Sequence, residues 1–277
     1  MLLLMALCTL YPFWYVLCMA LSDYQATLGK GLLFLPAGFT LANLRYILST
    51  PDFLRIYGNT GFVVGMGTFL SLTFTTMFAY GLARRVPGKT WIAYAVFFTL
   101  LFSGGMIPTF LVVRGTKLMN TLWALIVPRV IDPFNIFLMR NFFQSIPDSL
   151  DESASVEGAG PMTILLKIIL PISLPGLATI ALFYGVGYWN AFFDAVIYIS
   201  SRERWTIQVL LRELLVSMQP DILGSGATAG SADNLGQTLG YTVKMATVVT
   251  AIVPIMCIYP FLQRYFVKGV IVGAVKG

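Results

Sequence analysis

The chain has 277 residues, 57% hydrophobic and 11% charged, against about 25% charged in soluble domains. With a mean hydropathy of +0.80, this excludes a soluble globular domain and calls for an all-α integral membrane protein. The net charge of +6 does not indicate a nucleic-acid partner, because the basic residues are scattered between apolar runs and form no basic face. Cys8, Cys18 and Cys257 all lie in apolar runs and read as small buried hydrophobes rather than disulfide or metal residues. The chain has no histidine, so His-based acid–base catalysis and most zinc chemistry are excluded, and no metal site is expected.

The first apolar run, Leu2 to Leu21, is uncharged and long enough to span, which takes about 20 residues. It lacks a basic leader and a small-residue cleavage site, and its Tyr11-Pro12-Phe13-Trp14-Tyr15 cluster is too bulky for a signal peptide. The absence of flanking charge predicts that the natural chain extends upstream of Met1. Ser22 to Arg55 is a polar connection in which Phe39 to Tyr46 forms an amphipathic surface helix. The second span runs from about Tyr57 to Ala83. It places Gly61 and Gly65 in GxxxG spacing and gathers Thr60, Thr68, Ser71, Thr75 and Thr76 on a polar face, a pattern that suits close helix packing more than a transport path. Arg84-Arg85-Val86-Pro87-Gly88-Lys89-Thr90 follows as a tight basic turn. It is no phosphate-binding loop, since the required earlier glycine is Ala83 and no strand precedes it. Its basic density reads as cytoplasmic.

The third span, about Trp91 to Val113, is interrupted by Ser103-Gly104-Gly105 and Pro108. The fourth, about Leu122 to Phe143, carries Pro128, Arg129, Asp132 and Pro133. Arg129 and Asp132 either pair with each other or serve function, since ionisable groups at membrane depth are costly. The fifth span runs from about Ile172 to Ile199. Ser200 to Gln237 is a polar loop, flexible by composition over Gly224–Asn234. The sixth span runs from about Thr238 to Phe266, ahead of a glycine-spaced apolar tail ending Val275-Lys276-Gly277. The fold expected is six transmembrane helices in one domain, residues 1–277, with a core at 57–266.

Between spans four and five, residues 145–175 read SIPDSLDESASVEGAGPMTILLKIILPISLP. Pro147 ends the preceding helix. Ser149 stands three residues before Glu152, a capping-box spacing, and Asp151 and Glu152 suit the positive end of the new helix. Gly158 fits a stop that needs positive φ, and Pro161 fits the first turn of a second helix. Two short helices held outside a bilayer form a handle that another protein can grip.

Glu152-Ser153-Ala154, Glu157-Gly158-Ala159, Ile168, Leu170-Pro171 and Pro175 resemble the EAA loop of ABC-importer permeases, and the spacing from Glu152 to Gly158, Ile168 and Leu170-Pro171 matches in full. Ser153 stands for the second alanine, and Glu157 stands where many members have Asp. The chain as a whole is similar to the smaller permease subunit of maltose-type carbohydrate importers. Its Val-Lys-Gly end matches that subunit's terminus. Phe102 to Thr109 and Leu182 to Asp194 look more like permeases for polysaccharide-derived oligosaccharides, including alginate-type importers. The resemblance implies a cytoplasmic coupling helix that docks on an ATPase subunit through Leu150, Glu152, Ser153, Ala154, Glu157, Gly158 and Ala159. It also implies a tail contact at Val275, Lys276 and Gly277. The implied partners are a second permease, two ATPase subunits, an extracytoplasmic sugar-binding protein and membrane lipid. ATP and Mg belong to the ATPases, so the chain binds no cofactor and catalyses nothing.

Lys and Arg are about equal on the two sides, and only the turn at Arg84 to Lys89 breaks the tie. The orientation, with both termini cytoplasmic in a prokaryotic inner membrane, therefore rests on the resemblance. A helical wheel over the fifth span puts Tyr184, Tyr188 and Ala191 on one stripe. Trp189, Phe192 and Phe193 share another, overlapped by Asn190 and Asp194. Aromatic faces with a few polar groups suit an oligosaccharide path, so Tyr184, Tyr188, Asn190, Phe193 and Asp194 are the candidate substrate residues. Asp194 is expected to face the pore, a partner or the aqueous boundary. The alternatives are a permease for a non-sugar solute and an ion-coupled carrier built on Arg129, Asp132, Asp194 and Lys244. No internal repeat supports the carrier.

Overall fold

Helices follow the apolar runs, and prolines and glycines decide where they break. In a computed structural model, residues 1–27, 30–84, 86–216 and 240–274 are described, with backbone alone for Leu3 and for 259–274. Among them the chain is helical, with one isolated antiparallel bridge between Ser22 and Phe39. The helices are α1 Leu2–Ala20, α2 Tyr24–Thr27, α3 Ala42–Ser49, α4 Pro51–Ala83, α5 Lys89–Leu101, α6 Met106–Gly115 and α7 Trp123–Ile126. They continue as α8 Pro133–Gln144, α9 Ser149–Val156, α10 Pro161–Ile172, α11 Leu174–Trp189, α12 Phe192–Tyr198, α13 Ile207–Val216 and α14 Tyr241–Ala274. Two described helices, Pro51–Ala83 and Tyr241–Ile258, are long and apolar enough to cross a membrane. Counting each of two bent pairs, α5 with α6 and α10 with α11, as one span raises the number to four. The chain is thus an all-α membrane-spanning protein.

The chain divides into two compact units, residues 1–60 with 201–257, and residues 61–200 with 258–277. In the first unit, buried polar side chains tie loops to helix ends. Asn43 Nδ2 donates to the carbonyls of Ala20 and Ser22 at 3.0 and 2.8 Å. Ser22 Oγ donates to Cys18 O at 2.6 Å and accepts from Ala37 N at 2.9 Å. Thr60 Oγ1 accepts from Ile207 N at 2.9 Å, satisfying one of the backbone donors that every helix start leaves open. The expected polar loop 200–237 in fact contains the amphipathic helix α13, which buries Ile207, Val209, Leu210 and Leu214. Gly224–Asn234 lies outside the described residues.

In the second unit the polar face of α4 packs, as its composition suggests. Ser71 Oγ lies 2.9 Å from the Tyr188 hydroxyl, and Thr75 Oγ1 lies 2.7 Å from the Tyr184 hydroxyl. The close approach is made at Gly67, where a Cβ would sit 2.7 Å from the Tyr188 ring. The GxxxG pair does not serve it, because a Cβ at Gly61 or Gly65 would meet no described atom within 4 Å. α4 also starts six residues before the expected Tyr57, since Thr50 is extended ahead of Pro51 and the proline fits a first helical turn.

The expected third span is two helices, α5 and α6, set at 113°. Gly105 there has φ 83° and ψ −178°, a conformation essentially open to glycine alone. The expected run Leu122 to Phe143 is not one helix. It is α7, a 3₁₀ turn at Val127–Arg129, and α8. Pro128 removes a donor, and Asp132-Pro133 restarts the helix, with the Asp132 carboxylate accepting from Asn135 N at 2.9 Å. The expected fifth span is broken too. α10 and α11 meet at 85°, and a turn closed by Phe192 N to Asn190 O at 2.7 Å separates α11 from α12. Ala191 at its centre has φ −70° and ψ 68°, an inverse γ-turn.

Candidate functional site

The stretch after α8 forms as two helices, α9 and α10, with a glycine stop between them, and the end of α9 matches the expectation closely. Gly158 has φ 87°. Gly158 N donates to Ser155 O at 3.0 Å, and Ala159 N donates to Ala154 O at 2.9 Å. These are the two bonds of a Schellman motif. Pro161 opens α10. The last turns before Pro171 widen into a π-turn over Leu165–Ile169. A proline ring clashes with the carbonyl four residues earlier, here that of Lys167, and a wider turn relieves the clash.

The N-terminal end differs from the expectation. Asp148, not Ser149, is the cap residue of α9, and no side-chain capping bond forms. The Asp148 carboxylate is held by Arg84, whose Nη1 lies 2.9 Å from Oδ1. Arg84 Nη2 also donates to Asp151 Oδ1 at 3.1 Å. The Arg84 and Asp151 side chains are only 14% and 17% exposed. The guanidinium sits 5.4 Å from the centre of the Tyr80 ring, which meets Phe143 edge-on. Lys89 Nζ donates to Arg84 O at 3.0 Å. The basic turn after α4 and the first turn of α9 therefore meet on one face. A groove of about 470 Å³ opens beside this brace, walled by Met77, Tyr80, Met162 and Leu165.

On the outer surface of α9, Glu152, Ser153, Glu157 and Gly158 are exposed, Leu150 is 37% exposed and Val156 is 89% exposed. Ala154 is buried and Ala159 half-buried. Ser153 Oγ donates to Leu150 O at 3.2 Å, so serine in place of alanine keeps its hydroxyl on its own helix. Val156 is an exposed apolar residue outside the expected docking set, and its place four after Glu152 puts the two on one face of α9.

The second cluster lies around the break between α7 and α8. Tyr184 and Tyr188 are buried, stacked at 6.5 Å, with hydroxyls bonded to α4. Tyr184 also accepts from Asp132 N at 3.2 Å. Asn190 is exposed and donates to Val186 O at 3.0 Å, and Phe193 is 57% exposed. Arg129 pairs with Asp194 at 3.2 Å, their side chains 44% and 28% exposed, and not with Asp132. A polar pocket of about 250 Å³ is lined here by Arg129, Asp132, Asn135, Tyr184 and Tyr188. Lys244 is buried in the first unit. Val275, Lys276 and Gly277 lie outside the described residues. Among the described residues no group of His, Cys, Asp and Glu could hold a metal ion.

No protein-family model matches the sequence. The polygalacturonan/rhamnogalacturonan transport system permease protein YtcP of Bacillus subtilis is 41% identical over 100% of this chain and 96% of its own length. Protein LplC of the same organism is 40% identical over 97% and 90%. This chain belongs to the permease subunits of carbohydrate ABC importers. A crystal structure of a bacterial ABC transporter involved in the import of the acidic polysaccharide alginate superposes with a TM-score of 0.85 at 33% identity, covering 96% of this chain and 93% of that one. As a permease subunit the chain forms part of the membrane path and is not an enzyme, since ATP hydrolysis is the work of a partner.

Proposed function

We propose that the chain supplies half of the translocation path for an oligosaccharide released by an extracytoplasmic binding protein. It works as one permease domain of six spans, residues 1–277 with its core at 57–266, beside a second permease and two ATPase subunits that hold ATP and Mg. The observation that carries this reading is the loop at 145–175, with its left-handed Gly158 and exposed Glu152, Ser153 and Val156. In this reading α9 is the coupling helix. Leu150, Glu152, Ser153, Glu157 and Gly158 touch the ATPase, while Ala154 and Ala159 set the packing behind them. The tail at Val275, Lys276 and Gly277 reaches the ATPase pair from the same side. The basic turn braced to α9 supports a cytoplasmic loop and cytoplasmic termini in the prokaryotic inner membrane. The relatives named for polygalacturonan/rhamnogalacturonan and arabinooligosaccharides, with the alginate importer, support an oligosaccharide derived from a complex polysaccharide. Tyr184, Tyr188, Asn190, Phe193 and Asp194 line or support its path, the two tyrosines from behind.

The test is uptake in proteoliposomes that hold the chain with its co-expressed neighbours and binding protein. Uptake of an oligosaccharide is expected with internal ATP and no ion gradient. Uptake driven by a proton or sodium gradient without ATP would refute the proposal.

A further inference from the structure

The 250 Å³ pocket beside the break between α7 and α8 offers an unusual set of groups for its place in the chain. Arg129 stands on the 3₁₀ turn, 44% exposed at the side chain, with one Nη1 contact to Asp194 at 3.2 Å. A guanidinium has five N–H donors, so this pairing leaves most of its fork for a second carboxylate, which it binds in a planar two-bond geometry. Asn135 on the first turn of α8 is only 6% exposed, and its Oδ1 has no hydrogen-bond partner among the described residues. A buried carbonyl oxygen left without a donor is costly, and it lines the same pocket. Phe183 and Tyr184 add aromatic wall. The volume lies below the roughly 300–1,000 Å³ of drug-sized ligand sites, so one ring fits rather than a chain. The helix breaks at Val127–Arg129, and within a membrane a break of this kind is tolerated only inside protein or beside a water-filled path.

We propose that Arg129, Asn135 and the aromatic wall of Phe183 and Tyr184 form a subsite for one uronic-acid ring. Arg129 takes the ring carboxylate, Asn135 Oδ1 accepts a ring hydroxyl, and the apolar ring face lies against the aromatics. Asp194 is the positioning residue that holds the guanidinium in place when the subsite is empty. This rests on the oligosaccharide-import reading and adds the charge of the cargo to it.

The experiment uses the whole importer with its binding protein in proteoliposomes. The probes are an α-1,4-linked galacturonate trisaccharide and its carboxyl-reduced, neutral counterpart. Because the binding protein is the same throughout, the ratio of the two uptake rates in variant and wild type reports the permease alone. Arg129→Gln is expected to lower uronate uptake at least tenfold and neutral uptake less than twofold, with Arg129→Lys between. Asn135→Asp, nearly isosteric, is expected to lower uronate uptake selectively by placing a like charge in the pocket, and it serves if Arg129→Gln fails to assemble. Equal loss of both sugars in either variant would overturn the subsite and leave the import reading standing, as would wild-type uptake of the neutral sugar alone. ATP-driven uptake of neither sugar by the wild type would overturn the subsite, while the import reading would fall only if other oligosaccharides also failed.

Discussion

Replacing Gly158 with proline should abolish sugar-stimulated ATP hydrolysis while the chain still inserts and assembles. Gly158 holds φ 87° and donates its N–H to Ser155 O at 3.0 Å. Proline is fixed near φ −65° and has no N–H, so the turn loses its geometry and one of its two closing bonds together. Left-handed backbone costs an ordinary residue about 1–2 kcal/mol, so Gly158→Ala should weaken coupling only in part. Glu152→Lys leaves the backbone intact and reverses a charge on the exposed face of α9. It should match the proline variant in lost coupling, at least tenfold, if that face meets the ATPase. Stimulated hydrolysis at the wild-type level in both variants would show that α9 is a surface loop capping the next helix.

The Arg84 brace should matter nearly as much. Its fork reaches Asp148 and Asp151 in the first turn of α9 from the end of α4, so it ties α9 to a helix long and apolar enough to cross a membrane. Removing one partner of a buried ion pair costs about 3–5 kcal/mol because the other charge stays buried and unpaired. Here Asp148 is 59% exposed and relaxes into water, so the smaller end of that range, or less, applies. Arg84→Ala should lower the ratio of sugar-stimulated to basal ATP hydrolysis by about tenfold, which corresponds to about 1.4 kcal/mol. Arg84→Lys should recover only part of it, since an ammonium cannot fork between two carboxylates. The swap Arg84→Asp with Asp151→Arg should restore more coupling than either single change. A swap no better than the worse single variant would mean that Arg84 acts through general stability.

Local chemistry made much of this legible in advance. Gly158 and Pro161 mark a helix stop and start by backbone geometry alone, and both hold in the structure. The stripe of Tyr184 and Tyr188 followed from helical spacing, and both are buried; it does not run on to Ala191, which lies in the turn after α11. The capping box at Ser149 did not form, because Asp148 holds the cap position and its carboxylate is drawn to Arg84, a residue 64 positions away. Such pairings leave no local pattern; the usable hint was that a basic turn and an acidic first turn belong to the same side. Likewise Arg129 had a nearer acid in Asp132, but Asp132-Pro133 is a helix start whose carboxylate serves the backbone, leaving Asp194 as the partner. The prolines in the fourth span were visible, yet how far they divide the helix depends on packing. Helix α13 is less legible, because its charges at Arg212 and Glu213 mask an apolar face with helical spacing.

The most direct test of the account is a site-specific photo-crosslink from the exposed face of α9 in the assembled importer, with the crosslinking residue at Ser153 or Val156. The predicted result is a product with the ATPase subunit that changes in yield when ATP binds. A product only with lipid or with the extracytoplasmic binding protein, in a complex that still hydrolyses ATP, would contradict it.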